Sequence, residues 1–268
     1  MPGSIPTLMP IGGGISERGE QVILNEFLRR AGGLEATIAI VTTASELPDS
    51  GEWYQHKLLE LGLQKIPFMV DIHRREEACA VAYLDMIRQA TGVFFTGGAQ
   101  VRISAAIGGT PVHQALQEAH RSGAVIAGTS AGASILPAIM FAFGRGGPTP
   151  RQGIAQLVPG LGFIDHMIID QHFRQRDRLG RLLYAVAINA SILGLGIDEN
   201  TAAVIEGDTL TVIGQGAVTI VDGAHMTATD VAEVSMRHPI AASGAVIHVL
   251  TSGCTFDLVQ RRARLKGL

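Results

Sequence analysis

From residue 37 onward, short apolar runs alternate with longer stretches of helical periodicity, and this alternation narrows the folds open to the chain more than any other feature. A strand that is apolar along its whole length is buried on both faces, which calls for a parallel sheet covered by helices. Thr37-Ile38-Ala39-Ile40-Val41-Thr42 is such a run, and residues 66–70, 92–95 and 124–127 repeat it. Between these runs the spacing predicts helices over residues 20–31, up to Leu61, over 76–90, and after Thr110. Gly32-Gly33, Gly62 and Gly123 stop three of them, and Pro111 suits a first helical position because its missing N–H costs nothing there. Beyond about residue 202 the pattern changes to hairpins: Ala203-Val204-Ile205 and Leu210-Thr211-Val212-Ile213 flank Glu206-Gly207-Asp208-Thr209, with further strands near 217–221 and 245–250. The expected fold is α/β: a mostly parallel central sheet flanked by helices, with a β-hairpin-rich C-terminal part. No low-complexity linker or internal repeat divides the chain, so a single domain over residues 1–268 is expected.

Composition excludes several classes. With 47% hydrophobic and 17% charged residues over 268 positions, the chain has material for a large core and cannot be a disordered tail. Its net charge is −3 and its only lysines are Lys57, Lys65 and Lys266, so no broad cationic surface can form and nucleic acid is not an expected partner. The basic end, Arg261, Arg262, Arg264 and Lys266, reads as solvated. Cys79 and Cys254 form neither a disulfide framework nor a metal motif, and read as free core thiols in a reducing compartment. The start, MPGSIPTLMPIGGG, lacks the basic and unbroken apolar regions of a signal peptide, so a cytoplasmic location is expected. Residues 123–144 carry no charge, yet Gly128-Thr129-Ser130-Ala131-Gly132-Ala133-Ser134 and Pro137 make them too polar and broken to span a membrane; they read as a buried strand and a buried helix.

The chemistry concentrates at the ends of strands. Gly12-Gly13-Gly14 fails the dinucleotide fingerprint because Glu17 stands where a third spaced glycine is needed, and reads as a tight turn after a first short strand, although a turn at a strand's carboxyl end can still line a site. Gly128-Thr129-Ser130-Ala131-Gly132 is G-x-S-x-G between a strand and a helical stretch, the setting in which that motif presents a strained serine at a helix amino terminus. A hydroxyl needs a base. Among nine histidines, His172 follows the apolar run Met167-Ile168-Ile169, a strand end that would face the same sheet edge as Ser130. A second apolar run, residues 192–197, ends in Asp198-Glu199-Asn200-Thr201, and Glu199 completes a Ser–His–Glu order with gaps of 42 and 27 residues. That order differs from the Ser–acid–His of α/β-hydrolases. Arg174, Arg176, Arg178 and Arg181 follow His172; if helical, Arg174, Arg178 and Arg181 share a face, and the group reads either as a solvated basic face or as a grip on a substrate carboxylate.

Together with Phe95-Thr96-Gly97-Gly98, Gln100 and Arg102, and with Gly196-Ile197-Asp198-Glu199-Asn200-Thr201-Ala202, these motifs resemble the cyanophycinase family of serine peptidases, family S51, over most of the chain. The resemblance implies a fold similar to class I glutamine amidotransferases, a cytoplasmic homodimer, no cofactor or metal, and hydrolysis of cyanophycin, an arginine-substituted polyaspartate, to β-Asp-Arg dipeptides. It further implies Ser130 as nucleophile, His172 as base, Glu199 as its orienting acid, and an oxyanion hole from the N–H groups of Gly98 and Ala131. Gln100, Asp170, Gln171, Arg176, Arg178 and Arg181 would line the substrate groove, with Asp170 meeting a guanidinium. Ala99 departs from the family's usual asparagine, and Pro137 is unusual in the helix expected after the elbow. An aspartyl dipeptidase of the same family and an inactive α/β binding module are the competing readings. Residues 145–160, rich in Gly and Pro, are either an ordered wall or a mobile lid.

Overall fold

The computed structural model describes residues 5–14, 17–47 and 49–267. Met1–Ser4, where the amino-terminal reading begins, lie outside the described residues. The chain opens with β1 (Thr7–Ile11) and α1 (Glu17–Ala31), followed by β2 (Ile38–Val41), α2 (Ser50–Glu60), β3 (Phe68–Val70), α3 (Val81–Gln89) and β4 (Gly92–Phe95). Next come α4 (Gln100–Ile107), α5 (Pro111–Arg121), β5 (Val125–Thr129), α6 (Ala131–Ser134), β6 (Ile139–Gly144), β7 (Ala155–Pro159), β8 (Met167–Gln171) and α7 (Leu179–Ile188). Strands β9 (Leu193–Ile197), β10 (Thr201–Glu206), β11 (Thr209–Gly214), β12 (Ala217–Asp222), β13 (Ala228–Thr229), β14 (Ala242–Ser243), β15 (Val246–Thr251), β16 (Thr255–Asp257) and β17 (Arg262–Arg264) complete it.

The α/β fold expected from the alternation is present. A nine-stranded sheet runs β17-β16-β11-β10-β1-β5-β4-β2-β3. Its β1-β5-β4-β2-β3 half is parallel, and β10, β11, β16 and β17 extend it as antiparallel hairpins. Alternation along the parallel strands sorts the core onto two faces. Ile38, Ile40 and Phe94 point to one side, where Phe27 of α1 meets Phe94 edge-on at 5.6 Å, while Ala39, Val41, Val93 and Phe95 point to the other, toward Ile103 and Leu116. Thr110 caps α5 as expected, accepting from the His113 N–H.

Four expectations change. First, not all the strand ends belong to one sheet. A separate four-stranded sheet, β15-β12-β9-β8, carries the strands that lead into His172 and Glu199, whereas Ser130 follows β5 of the large sheet. The corner Asp198-Glu199-Asn200 carries the chain from β9 in the small sheet to β10 in the large one. Second, the buried helix expected after the elbow lasts a single turn. Pro137 in a further turn would clash with the carbonyl of Ala133, so it lies outside the helix, bridged to Ile164, and the chain re-enters as β6. Third, the helix expected over 76–90 breaks at the extended Ala80 into a 3₁₀ turn, Arg75–Cys79, and α3; the Glu77 carboxylate accepts from the N–H groups of His73 and Arg74 and caps the first piece. Fourth, only Cys254 is a core thiol, because Cys79 is exposed. Among the described residues no helix is long and apolar enough to cross a membrane.

Candidate active site

At the end of β5 the backbone turns sharply. Ser130 has φ 54° and ψ −112°, a conformation L residues rarely adopt, and it stands immediately before α6. The flanking glycines make room for this turn: a Cβ on Gly128 would collide with the Gly132 carbonyl, and one on Gly132 with the Phe95 carbonyl. The motif spacing thus follows from close backbone approach.

The packing of the two sheets brings three distant side chains into line. Ser130 Oγ lies 2.9 Å from His172 Nε2, and His172 Nδ1 lies 2.6 Å from Glu199 Oε1. Nδ1–H donates to the carboxylate, which leaves Nε2 to accept the serine proton. His172 is buried, and its backbone is also left-handed, with φ 47°. Burial pushes its pKa below the ordinary histidine value; the Glu199 hydrogen bond opposes this, while the charges of Arg176 and Arg178 reinforce it. A neutral imidazole so placed can withdraw the hydroxyl proton and return it to a leaving group. The acidic loop selects between its two carboxylates: Asp198 is buried and accepts from the N–H groups of Arg174 and Ala217, while Glu199 reaches His172.

Gly97 and Gly98 follow β4, the parallel neighbour of β5, and a Cβ on Gly97 would lie 3.4 Å from the Ser130 Cβ. Gly98 has φ 141° and packs so closely on Ala44 that no side chain fits. Ala131 opens α6, where a helix leaves its first N–H groups unpaired. Of the two residues expected to form an oxyanion hole, Ala131 adjoins the serine in the chain, while Gly98 packs on Ala44 and its neighbour Gly97 is the residue that approaches Ser130.

The polar residues expected along the substrate groove divide. Asp170 has 0% exposure, and its carboxylate is enclosed by guanidinium groups of this chain: Arg181 Nε donates to Oδ2 at 2.5 Å, Arg181 Nη2 to Oδ1, and Arg178 Nη1 to Oδ1 at 3.1 Å. Arg178 also donates to Gln171 Oε1 at 3.0 Å, and Arg181 lies over the Phe141 ring. Burial pushes the Arg178 pKa down to about 10, which leaves it charged at neutral pH. Asp170, Gln171, Arg178 and Arg181 thus bond to one another, with Arg178 Nε left as a buried donor that has no partner among the described residues. The Gln100 amide is likewise engaged, donating to the Phe141 carbonyl at 2.7 Å. The shared helical face considered for Arg174, Arg178 and Arg181 does not form, because Asp177 turns left-handed between a 3₁₀ turn and α7. Arg174 and Arg176 are exposed, and of these Arg176 acts on His172 through its charge.

Residues 145–160 are hydrogen-bonded within the segment and to the chain around it. Arg145 N–H donates to Ile154, Gly147 N–H to Asp177, Gly180 N–H to Gly147, and Gln152 N–H to His238. One turn at a strand's carboxyl end does line the site. Gly12-Gly13-Gly14, taken as a turn, lies directly against His172 and Glu199; the signal was a glycine triplet at the carboxyl end of a buried strand.

Fold and site define a class: α/β proteins that carry a strained elbow serine at the end of a central parallel strand, within reach of a histidine–carboxylate pair. Residues 8–213 match peptidase family S51. The chain is similar to the cyanophycinase of Trichormus variabilis, 38% identical over 257 residues, which cover 95% of this chain and 86% of that one. The cyanophycinase of Synechococcus elongatus is 36% identical over 255 residues, covering 94% and 79%. Among solved structures, a peptidase from an acI-B1 Actinobacterium shares the fold with TM-score 0.69 at 21% identity, over 94% of this chain and 97% of that one. A putative peptidase E from Listeria monocytogenes superposes with TM-score 0.56 at 16% identity, over 80% and 100%. The chain belongs to the cyanophycinase family, peptidase family S51, and is a peptidase.

Proposed function

We propose that this peptidase hydrolyses cyanophycin to β-Asp-Arg dipeptides by a serine acyl-enzyme mechanism, with Ser130, His172 and Glu199 as its catalytic residues. The observation that carries the mechanism is the unbroken path from Ser130 Oγ through both ring nitrogens of His172 to Glu199. The substrate follows from two relatives, 38% and 36% identical over nearly the whole chain, that bear the name cyanophycinase.

Ser130 Oγ bonds to a main-chain amide carbonyl as His172 Nε2 takes its proton, and the oxyanion is held by the N–H groups of Gly98 and Ala131. Collapse breaks the C–N bond, and the imidazolium gives its proton to the departing amine. Water, deprotonated by His172, then attacks the ester, and the proton returns to Ser130 as the acid leaves. Glu199 stabilises the imidazolium in both halves. Arg176, exposed beside His172, is placed to meet a carboxylate of the substrate.

Incubation with purified insoluble cyanophycin, followed by mass spectrometry, tests the reading. β-Asp-Arg is the expected product, and Ser130→Ala is expected to lower the rate by roughly 10⁶. Activity retained in Ser130→Ala refutes the mechanism; cleavage of an α-Asp dipeptide with the polymer untouched refutes the substrate.

A further inference from the structure

The end of β1 touches all three candidate catalytic loops. Three successive carbonyls accept from them: Ile11 O from the N–H of Ser130 at 3.0 Å, Gly12 O from the N–H of His172 at 2.7 Å, and Gly13 O from the N–H of Asn200, beside Glu199, at 3.0 Å. Gly12 N–H donates to the Thr201 carbonyl at 2.9 Å, so the last loop is held at both ends. Two of these loops come from the small sheet and one from the large sheet, and β1 lies in the large sheet beside both β5 and β10.

The side-chain positions of the same residues are equally constrained. A Cβ on Gly13 would collide with the imidazole of His172, meeting Nε2 at 2.5 Å, and one on Gly14 would meet the Glu199 carboxyl carbon at 2.5 Å. A Cβ on Gly12 would collide with the Asp198 carbonyl. Gly13 and Gly14 also have φ of 92° and 56°. The backbone of the triplet is therefore the surface on which the ring and the carboxylate rest. The ring's rotation and its distance to Ser130 Oγ depend on that surface staying bare.

We propose that Ile11-Gly12-Gly13-Gly14 is the template that sets the mutual geometry of Ser130, His172 and Glu199, and that Gly13 and Gly14 are positioning residues for the acyl-transfer reaction. Gly12, Gly13 and Ile11 act through backbone carbonyls, and Gly13 and Gly14 through the absence of a side chain. The inference rests on the serine mechanism proposed above. It extends that mechanism by giving a glycine triplet control over the rate of proton transfer.

The experiment compares Gly13→Ala with Gly33→Ala. Gly33 has a similar left-handed φ of 71°, but a Cβ there has nothing within 4 Å, so it carries the backbone strain without the collision. Gly13→Ala is expected to lower kcat by about 100-fold, with KM near wild type, and to slow fluorophosphonate labelling of Ser130 by a similar factor, the effect of a misplacement near 1 Å. Gly33→Ala is expected to leave kcat per folded molecule unchanged. Equal kcat in the two folded variants overturns the proposal. Thermal unfolding of Gly13→Ala in the wild-type and His172→Ala backgrounds provides a readout independent of activity. Removing the ring is expected to relieve the destabilisation, or to restore folding if Gly13→Ala alone does not fold. A destabilisation of the same size in both backgrounds also overturns it, because the added methyl group would then be in conflict with something other than His172. Loss of activity in Ser130→Ala together with a fully active Gly13→Ala would sink the template alone; activity in Ser130→Ala would sink the mechanism beneath it.

Discussion

Glu199 Oε1 lies 2.6 Å from His172 Nδ1, on the side of the ring opposite Ser130, and the residue that supplies it sits at the corner where the chain passes from the small sheet to the large one. A carboxylate there selects the tautomer with Nε2 free and stabilises the positive ring formed during catalysis. Glu199→Gln is expected to lower kcat by about 10⁴, as loss of the acid does in other triads, with little change in thermal stability. A loss of tenfold or less in steady-state turnover of the polymer would show that Glu199 does not serve this role.

The pH profile follows from the causes acting on His172. Burial lowers its pKa first, Glu199 opposes this through its hydrogen bond, and Arg176 and Arg178 lower it further. A general base works in its neutral form, so a lowered pKa keeps it active to more acidic pH. The acid limb of kcat/KM is expected below the ordinary imidazole value of about 6.5. Arg176→Ala removes a charge that favours the neutral ring, so the limb is expected to move to higher pH, less so at high salt because Arg176 is exposed. A shift to lower pH in the measured profile would contradict this assignment of causes.

Asp170 is wholly buried and holds Arg178 and Arg181 together. Asp170→Asn leaves two buried guanidinium groups without their counter-charge, and is expected to cost about 3–5 kcal/mol of folding free energy by chemical denaturation. Arg176→Ala, at an exposed position, is expected to change stability by less than about 0.5 kcal/mol. Equal effects of the two substitutions would mean that the buried cluster contributes nothing particular to the fold.

Several of these features were legible in residue order alone. β2, β4 and β5 fall close to the apolar runs that announced them, because a strand buried on both faces must be apolar throughout. The elbow was equally plain as a motif: the clash that requires Gly128 arises with Gly132, four residues on, although the one that requires Gly132 comes from Phe95 on the neighbouring strand. The helix after it was overestimated because the apolar periodicity continued past Pro137, where backbone chemistry stops a helix regardless of hydropathy. The arginines after His172 were ambiguous for a different reason. An arginine that grips a substrate and one that pairs with an internal Asp170 have the same sequence signature.

Residue order alone dictates the alternating α/β grammar, the strained turn at Ser130, and the placement of a histidine and an acid at the ends of two further strands. Those properties are local: they depend on side-chain period, on the missing Cβ of glycine and on proline geometry, all of which act within a few residues. Packing in three dimensions is what makes His172 and Glu199 come from a second sheet, turns Asp170, Arg178 and Arg181 inward, and lays Gly13 and Gly14 against the ring and the carboxylate. Asp170 meets Arg178 and Arg181 only 8 and 11 residues on, across the left-handed turn at Asp177, whereas the other contacts join segments far apart in the chain. Such a contact exists only because the packing of two sheets around the end of β1 places their backbones within a hydrogen bond of one another.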